Sequence, residues 1–263
     1  MAFTSNPVDG TRIHFEVEGD GPPLFLHCGF LGELSVWYGV GVVDALRDSF
    51  TLILNDPRGQ GASGKPHDIE SYAFERFVGD IEAILDSLDV QKTHFLGYSM
   101  GAEVGFAASV MAPHRFNSMI LGGSHPFTDP VATVICDTVQ EEAALLSQGM
   151  EAYVNELEAR YGAVDPAVRE RWLGNDHLAL SASIQAWDQR PDLRQQLRES
   201  SVPALVYCGT ADATFEPTRE ACQLMPRAHF VPLEGLDHLQ AFLRFEQILP
   251  NVLSFLRQRE PVI

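Results

Sequence analysis

The sequence predicts an α/β fold in which a mostly parallel sheet is flanked by helices, with a small helical segment inserted late in the chain. Three observations carry this reading. The runs Leu24-Phe25-Leu26-His27-Cys28 and Ala204-Leu205-Val206-Tyr207-Cys208 lack polar alternation and are bounded by turn formers, as in strands covered on both faces. Segments of helical spacing separate such runs, most clearly residues 72–88, where Phe74, Phe77, Val78, Ile81, Ile84, Leu85 and Leu88 share one face. Residues 124–200 carry amphipathic helical patterns and no clear strand.

The elements follow in order. Residues 11–17 alternate as a half-buried strand that Gly19-Asp20-Gly21-Pro22-Pro23 ends, and the strand at 24–28 then runs into the loop Gly29-Phe30-Leu31-Gly32. A helix is expected over residues 36–47, a strand over 50–54, and a turn-rich loop from Asn55 to Gly64. After the helix at 72–88 come a strand at 93–96, a sharp turn and a run of small residues; a strand at 116–121 closes this half. The insert is expected to hold helices at 137–160 and 176–187. Strands at 204–208 and 229–233 alternate with helices at 216–224 and 239–257. The core is thus assigned to residues 1–123 and 201–263, and a cap or lid to 124–200.

Composition narrows the function classes. Asp and Glu outnumber Lys and Arg by 36 to 18 in the 263 residues, a formal charge of -18 that repels phosphate backbones and anionic lipid heads. Nucleic acid and membrane are therefore not expected partners. The chain has no long apolar run, residues 1–7 lack the features of a signal peptide, and a cytoplasmic location is expected. Cys28, Cys136, Cys208 and Cys222 show no C-x-x-C spacing and read as reduced structural thiols. No nucleotide-binding glycine motif or metal-ligand cluster is visible, so neither cofactor nor metal is expected.

Chemistry gathers around Gly97-Tyr98-Ser99-Met100-Gly101. A serine between glycines, after an apolar strand and before small residues suited to a closely packed helix, is the context of a nucleophile elbow. A serine hydroxyl is a weak nucleophile, so it needs a histidine to take its proton and a carboxylate to orient that histidine. His238 stands in a loop after the last strand, and Asp212 follows the strand before it, so both face one sheet edge. Asp212 could alternatively cap the helix that follows, and Asp129 is a reserve acid. Met100 N–H is placed to bind an oxyanion, with a second donor expected from the loop at Gly29. Arg58 reads as loop architecture rather than an anion site, and Cys28 as packing rather than a second nucleophile.

Five blocks resemble the α/β-hydrolase family over nearly the whole chain: Gly21-Pro22-Pro23 with the following strand, Gly29-Phe30-Leu31-Gly32 and Trp37; Asp56-Pro57-Arg58-Gly59-Gln60-Gly61-Ala62-Ser63; the elbow; Gly209-Thr210-Ala211-Asp212; and Gly235-Leu236-Asp237-His238. The resemblance implies a triad of Ser99, Asp212 and His238, with Phe30 as the second oxyanion donor. The family's usual His-Gly is replaced here by Cys28-Gly29, with His27 one position early. A one-residue slip would make Gly29 the donor.

The expected activity is hydrolysis of a carboxylic ester or lactone through an acyl-enzyme. Serine at position 99 argues against the carboxylate chemistry of dehalogenases and epoxide hydrolases. Relatives on this scaffold leave two alternatives, a C–C bond hydrolase of ring-cleavage products and a cofactor-free haloperoxidase or perhydrolase. Trp172, Leu173, Leu178, Leu180, Ile184 and Trp187 are expected to line the lid over a small to medium apolar substrate, with Trp187 and Tyr98 in the pocket.

Overall fold

The computed structural model describes residues 2–128 and 133–259. Among these, eight strands form one sheet: β1 (Ala2–Ser5), β2 (Arg12–Glu18), β3 (Pro23–His27), β4 (Thr51–Asn55), β5 (Thr93–Tyr98), β6 (Phe116–Gly122), β7 (Ala204–Gly209) and β8 (Ala228–Leu233). Their spatial order is β1-β2-β4-β3-β5-β6-β7-β8. β2 pairs antiparallel with β1 and β4, and every other neighbouring pair is parallel. The carboxyl ends of β5, β6, β7 and β8 therefore lie side by side on one rim.

Two apolar layers hold the sheet. Phe25, Ile53, Phe95 and Leu121 point to one face, against helices Phe74–Ser87 and Met100–Met111. Leu24, Leu26, Leu54, Leu96 and Ile120 point to the other, with Trp37, Val252 and Leu256. The alternation of neighbours such as Leu24 and Phe25 is the period of two that a strand imposes, here with both faces dry.

Several elements depart from the sequence reading. β1 was not foreseen, because four residues at a polar edge carry little apolar signal. The helix expected at 36–47 is two short helices, Val36–Gly39 and Val42–Leu46, parted by Gly41 at φ 76°. That at 137–160 is Val139–Ser147 and Met150–Tyr161, parted by Gly149 at φ 110°. Both glycines adopt a backbone conformation that ends a right-handed helix. The last helix becomes His238–Leu243, a 3-10 turn Phe245–Gln247, and Leu249–Arg257, which restarts with Pro250 in its first turn.

Between β6 and β7 the insert adds helices Val139–Ser147, Met150–Tyr161, Pro166–Leu173, His177–Trp187 and Arg194–Leu197. Its centre is tied by the fully buried Glu142 carboxylate, which accepts the N–H groups of Val134 at 2.8 Å and Ile135 at 3.2 Å and the hydroxyl of Tyr153. A buried carboxylate so surrounded keeps its hydrogen-bonding capacity filled.

Candidate active site

The turn at Ser99 closes because nothing stands in its way. A Cβ on Gly97 would lie 2.3 Å from Gly101 O, and one on Gly101 2.1 Å from His27 O. Ser99 takes φ 55° and ψ -123°, and its N–H donates to Gly122 O at 2.8 Å, which ties the turn to the end of β6. A non-glycine residue in this region carries roughly 1–3 kcal/mol of strain, which surrounding structure must hold.

From the other side of the rim comes His238. Its Nε2 lies 3.0 Å from Ser99 Oγ and its Nδ1 2.7 Å from Asp212 Oδ2. The loops behind these two residues are bonded together: Ala211 N–H donates to Leu236 O at 3.0 Å, and Gly235 N–H to Thr210 Oγ1 at 2.8 Å. Asp212 is buried and its second oxygen accepts Thr214 N–H and Thr214 Oγ1–H, both at 2.9 Å. It thus orders the turn before helix Phe215–Leu224 while facing the histidine. Burial alone would raise its carboxyl, but hydrogen bonding and charge from His238, with the Thr214 bonds, outweigh this and hold it below the usual carboxylate range. An ionised Asp212 can only accept, so Nδ1 carries the imidazole proton and the Nε2 lone pair faces the serine hydroxyl.

Neighbouring residues have distinct jobs. Asp237 caps helix His238–Leu243 by accepting Gln240 N–H at 2.8 Å and so points away from the imidazole. Tyr98, expected in the pocket, is buried against Tyr207 and Phe242, and its hydroxyl donates to His238 O at 2.7 Å. Its place at the carboxyl end of β5 brings its ring to 5.3 Å from that of the histidine.

Gly29 lies against the serine, since a Cβ there would sit 3.1 Å from Ser99 Cβ. The N–H groups of Gly29, Phe30 and Met100 have no hydrogen-bond acceptor among the described residues. His27 is buried among Phe77 and Phe95 with Nδ1 3.0 Å from Cys28 O, and burial lowers its pKa to about 4. Cys28 is wholly buried, and burial pushes its thiol well above the ordinary range. Asp129 lies outside the described residues.

A cavity of about 550 Å³ opens beside the elbow, lined by Tyr72, Phe74, Met100, Val104, Trp187 and Arg190 among others. Trp187 also meets the Phe30 ring edge-on at 5.7 Å. The other expected lid-lining residues fare differently. Leu180 and Ile184 are sealed in the core, and Leu178 is exposed, because helix His177–Trp187 turns its apolar face onto helix Val139–Ser147. Trp172 and Leu173 are half-buried against the main core.

The sequence reading missed two groups at this rim. Glu103, on the helix after Ser99, accepts Ser124 Oγ–H at 2.7 Å and faces Arg190 of the insert at 2.7 Å, both side chains almost wholly buried. His125, just past β6, accepts Phe127 N–H at Nδ1, its buried Nε2 has no partner among the described residues, and burial lowers its pKa to about 4. A glutamate inside a helix otherwise made of apolar and small residues was the available signal for the first.

No described helix is long and apolar enough to cross a membrane. The profile of the alpha/beta hydrolase fold matches residues 22–229. A hydrolase from Pseudomonas aeruginosa PA01 superposes with TM-score 0.84 at 26% identity, over 96% of this chain and 97% of that one. The enol-lactonase from Burkholderia xenovorans LB400 superposes with TM-score 0.82 at 25% identity, over 95% and 98%. The serine hydrolase BPHL of Homo sapiens is 26% identical over 229 residues, 84% of this chain and 71% of that protein. With the sheet order and the elbow on the rim, the profile match makes this chain a member of the α/β-hydrolase fold family.

Proposed function

We propose that this protein is a serine hydrolase that cleaves a carboxylic ester or lactone through an acyl-enzyme. One observation carries the reading: the chain of contacts from Ser99 Oγ to His238 Nε2 at 3.0 Å and from His238 Nδ1 to Asp212 at 2.7 Å. Ser99 attacks the carbonyl carbon while His238 takes its proton; the imidazolium then protonates the departing alkoxide, and Asp212 stabilises the charged ring. Water, deprotonated by His238, releases the acid and restores the serine. The carbonyl oxygen becomes negative during each attack. Met100 N–H at the helix start and a donor from the Gly29-Phe30 turn bind it, and each such donor is worth roughly 3 kcal/mol.

Residues 124–200 serve as a lid on this core, with Trp187 walling the substrate space beside the elbow. The likeness to an enol-lactonase supports a small ester-type or lactone substrate. The test is a panel of p-nitrophenyl esters, lactones and C–C substrates, with peracid formation assayed alongside, on wild type and Ser99→Ala. Ester turnover falls by several orders of magnitude in the variant, and a fluorophosphonate labels wild type at Ser99. Equal turnover in both proteins would overturn the assignment.

A further inference from the structure

The helix that starts at Met100 aims its positive end at the site where charge develops. Met100–Met111 holds a single charged residue, Glu103, in its first turn. Four residues beyond Ser99, at about 1.5 Å of rise each, it donates its N–H to Ser99 O at 3.1 Å, and it lines the same cavity as Met100. It is 2% exposed, so water does little to screen it. Left alone, such a charge opposes the very potential the helix end provides.

Arg190 answers that charge. Its guanidinium reaches from the insert to within 2.7 Å of Glu103 Oε2, with side-chain exposure of 2% and 3% for the two partners. The contact is one of charge rather than of an aligned hydrogen bond. A second nitrogen of Arg190 donates to Phe127 O at 2.6 Å, which fixes the side chain in place. The other Glu103 oxygen is occupied by the neutral Ser124 hydroxyl. Of the two described side chains that meet the Glu103 carboxylate, Arg190 is therefore the one that carries positive charge.

We propose that Arg190 is a positioning residue for catalysis that acts through Glu103: it cancels the buried carboxylate and so preserves the positive potential at Met100 N–H. This rests on the serine-hydrolase reading. The insert then contributes to the electrostatics of the reaction as well as to the walls of the site. The mechanism predicts opposite effects from the two halves of the ion pair, whereas a purely structural pair predicts losses from both.

The experiment measures kcat and KM on p-nitrophenyl butyrate for wild type, Arg190→Met, Glu103→Gln and the double variant, each first titrated with a fluorophosphonate to count working serines. Arg190→Met lowers kcat roughly 30-fold at little changed KM, as expected for one uncompensated charge on the order of 8 Å from the oxyanion at an effective dielectric of about 20. Glu103→Gln raises kcat. The double variant recovers to within about threefold of wild type, because the offending charge is gone. A double variant as slow as Arg190→Met, or a fall in kcat in Glu103→Gln, overturns the proposal. If Arg190→Met does not fold, Glu103→Gln and Arg190→Lys carry the test: the lysine, which keeps the charge, stays within a few-fold of wild type, and a 30-fold loss there counts against the idea. Absence of labelling in wild type would instead sink the serine-hydrolase reading itself.

Discussion

Two charged constellations in this molecule use similar side chains to opposite ends. At the N-terminal side, Arg58 is wholly buried and all three of its nitrogens are occupied: Nε and one terminal nitrogen bind Asp80 at 2.7 and 2.6 Å, and the other binds Asp9 at 2.8 Å and Ser71 O at 2.6 Å. Asn6 completes Asp80 at 2.8 Å. At the rim, the chain of Ser99, His238 and Asp212 is closed behind the carboxylate and open in front, with the His238 side chain 45% exposed. A network whose members are all satisfied can only hold the fold together. One that ends in a hydroxyl beside a half-exposed imidazole leaves groups free to meet a ligand.

The contrast is broken or sharpened by substitutions on each side. Asp212→Asn is the largest expected effect on rate: it leaves the shape but favours the wrong imidazole tautomer, and kcat falls roughly 10⁴-fold. Steady-state kinetics on a p-nitrophenyl ester, with a circular dichroism check of fold, measures it. Arg58→Met should do the reverse. It strands Asp80 and loses about 3–5 kcal/mol of stability, while kcat per labelled serine stays within about threefold; a rate loss without a stability loss would erase the distinction.

Protons also separate the regions. Burial lowers His27, His94 and His125 to about 4 from an ordinary 6.5. The unfolded chain therefore takes up protons between those values that the folded chain refuses. The stability these residues contribute is complete above pH 6.5 and is lost as pH falls toward 4, at up to about 1.4 kcal/mol per pH unit for each histidine. Urea midpoints at pH 7.5, 6 and 5 test this, and a flat profile contradicts it. The smallest effect belongs to Gly29→Ala, whose methyl would sit 3.1 Å from Ser99 Cβ and 3.2 Å from Tyr98 O. Displacing the Gly29 turn by a few tenths of an ångström should cost about tenfold in kcat with little change in urea midpoint.

Much of the architecture was legible because the signals are local. The parallel strands declare themselves as apolar runs, and the elbow, the Asp212 turn and the His238 loop each follow one of them. The misses have a common cause. β1 gains its order from pairing with β2, Tyr98 from a hydroxyl bond to a residue 140 positions away, and the Arg190 contact with Glu103 from the way the insert folds back. Periodicity sees which face of a helix is apolar, as in His177–Trp187, but not whether that face meets a ligand or another helix.

Ser99 holds its backbone at φ 55°, a conformation in which glycine would sit without complaint. The backbone at Ser99 is thus a weak spring within the native state. A Ser99→Gly protein should be catalytically dead yet melt at a higher temperature than its parent, so that in this enzyme the most thermally robust form of the elbow is the one that has given up its reaction.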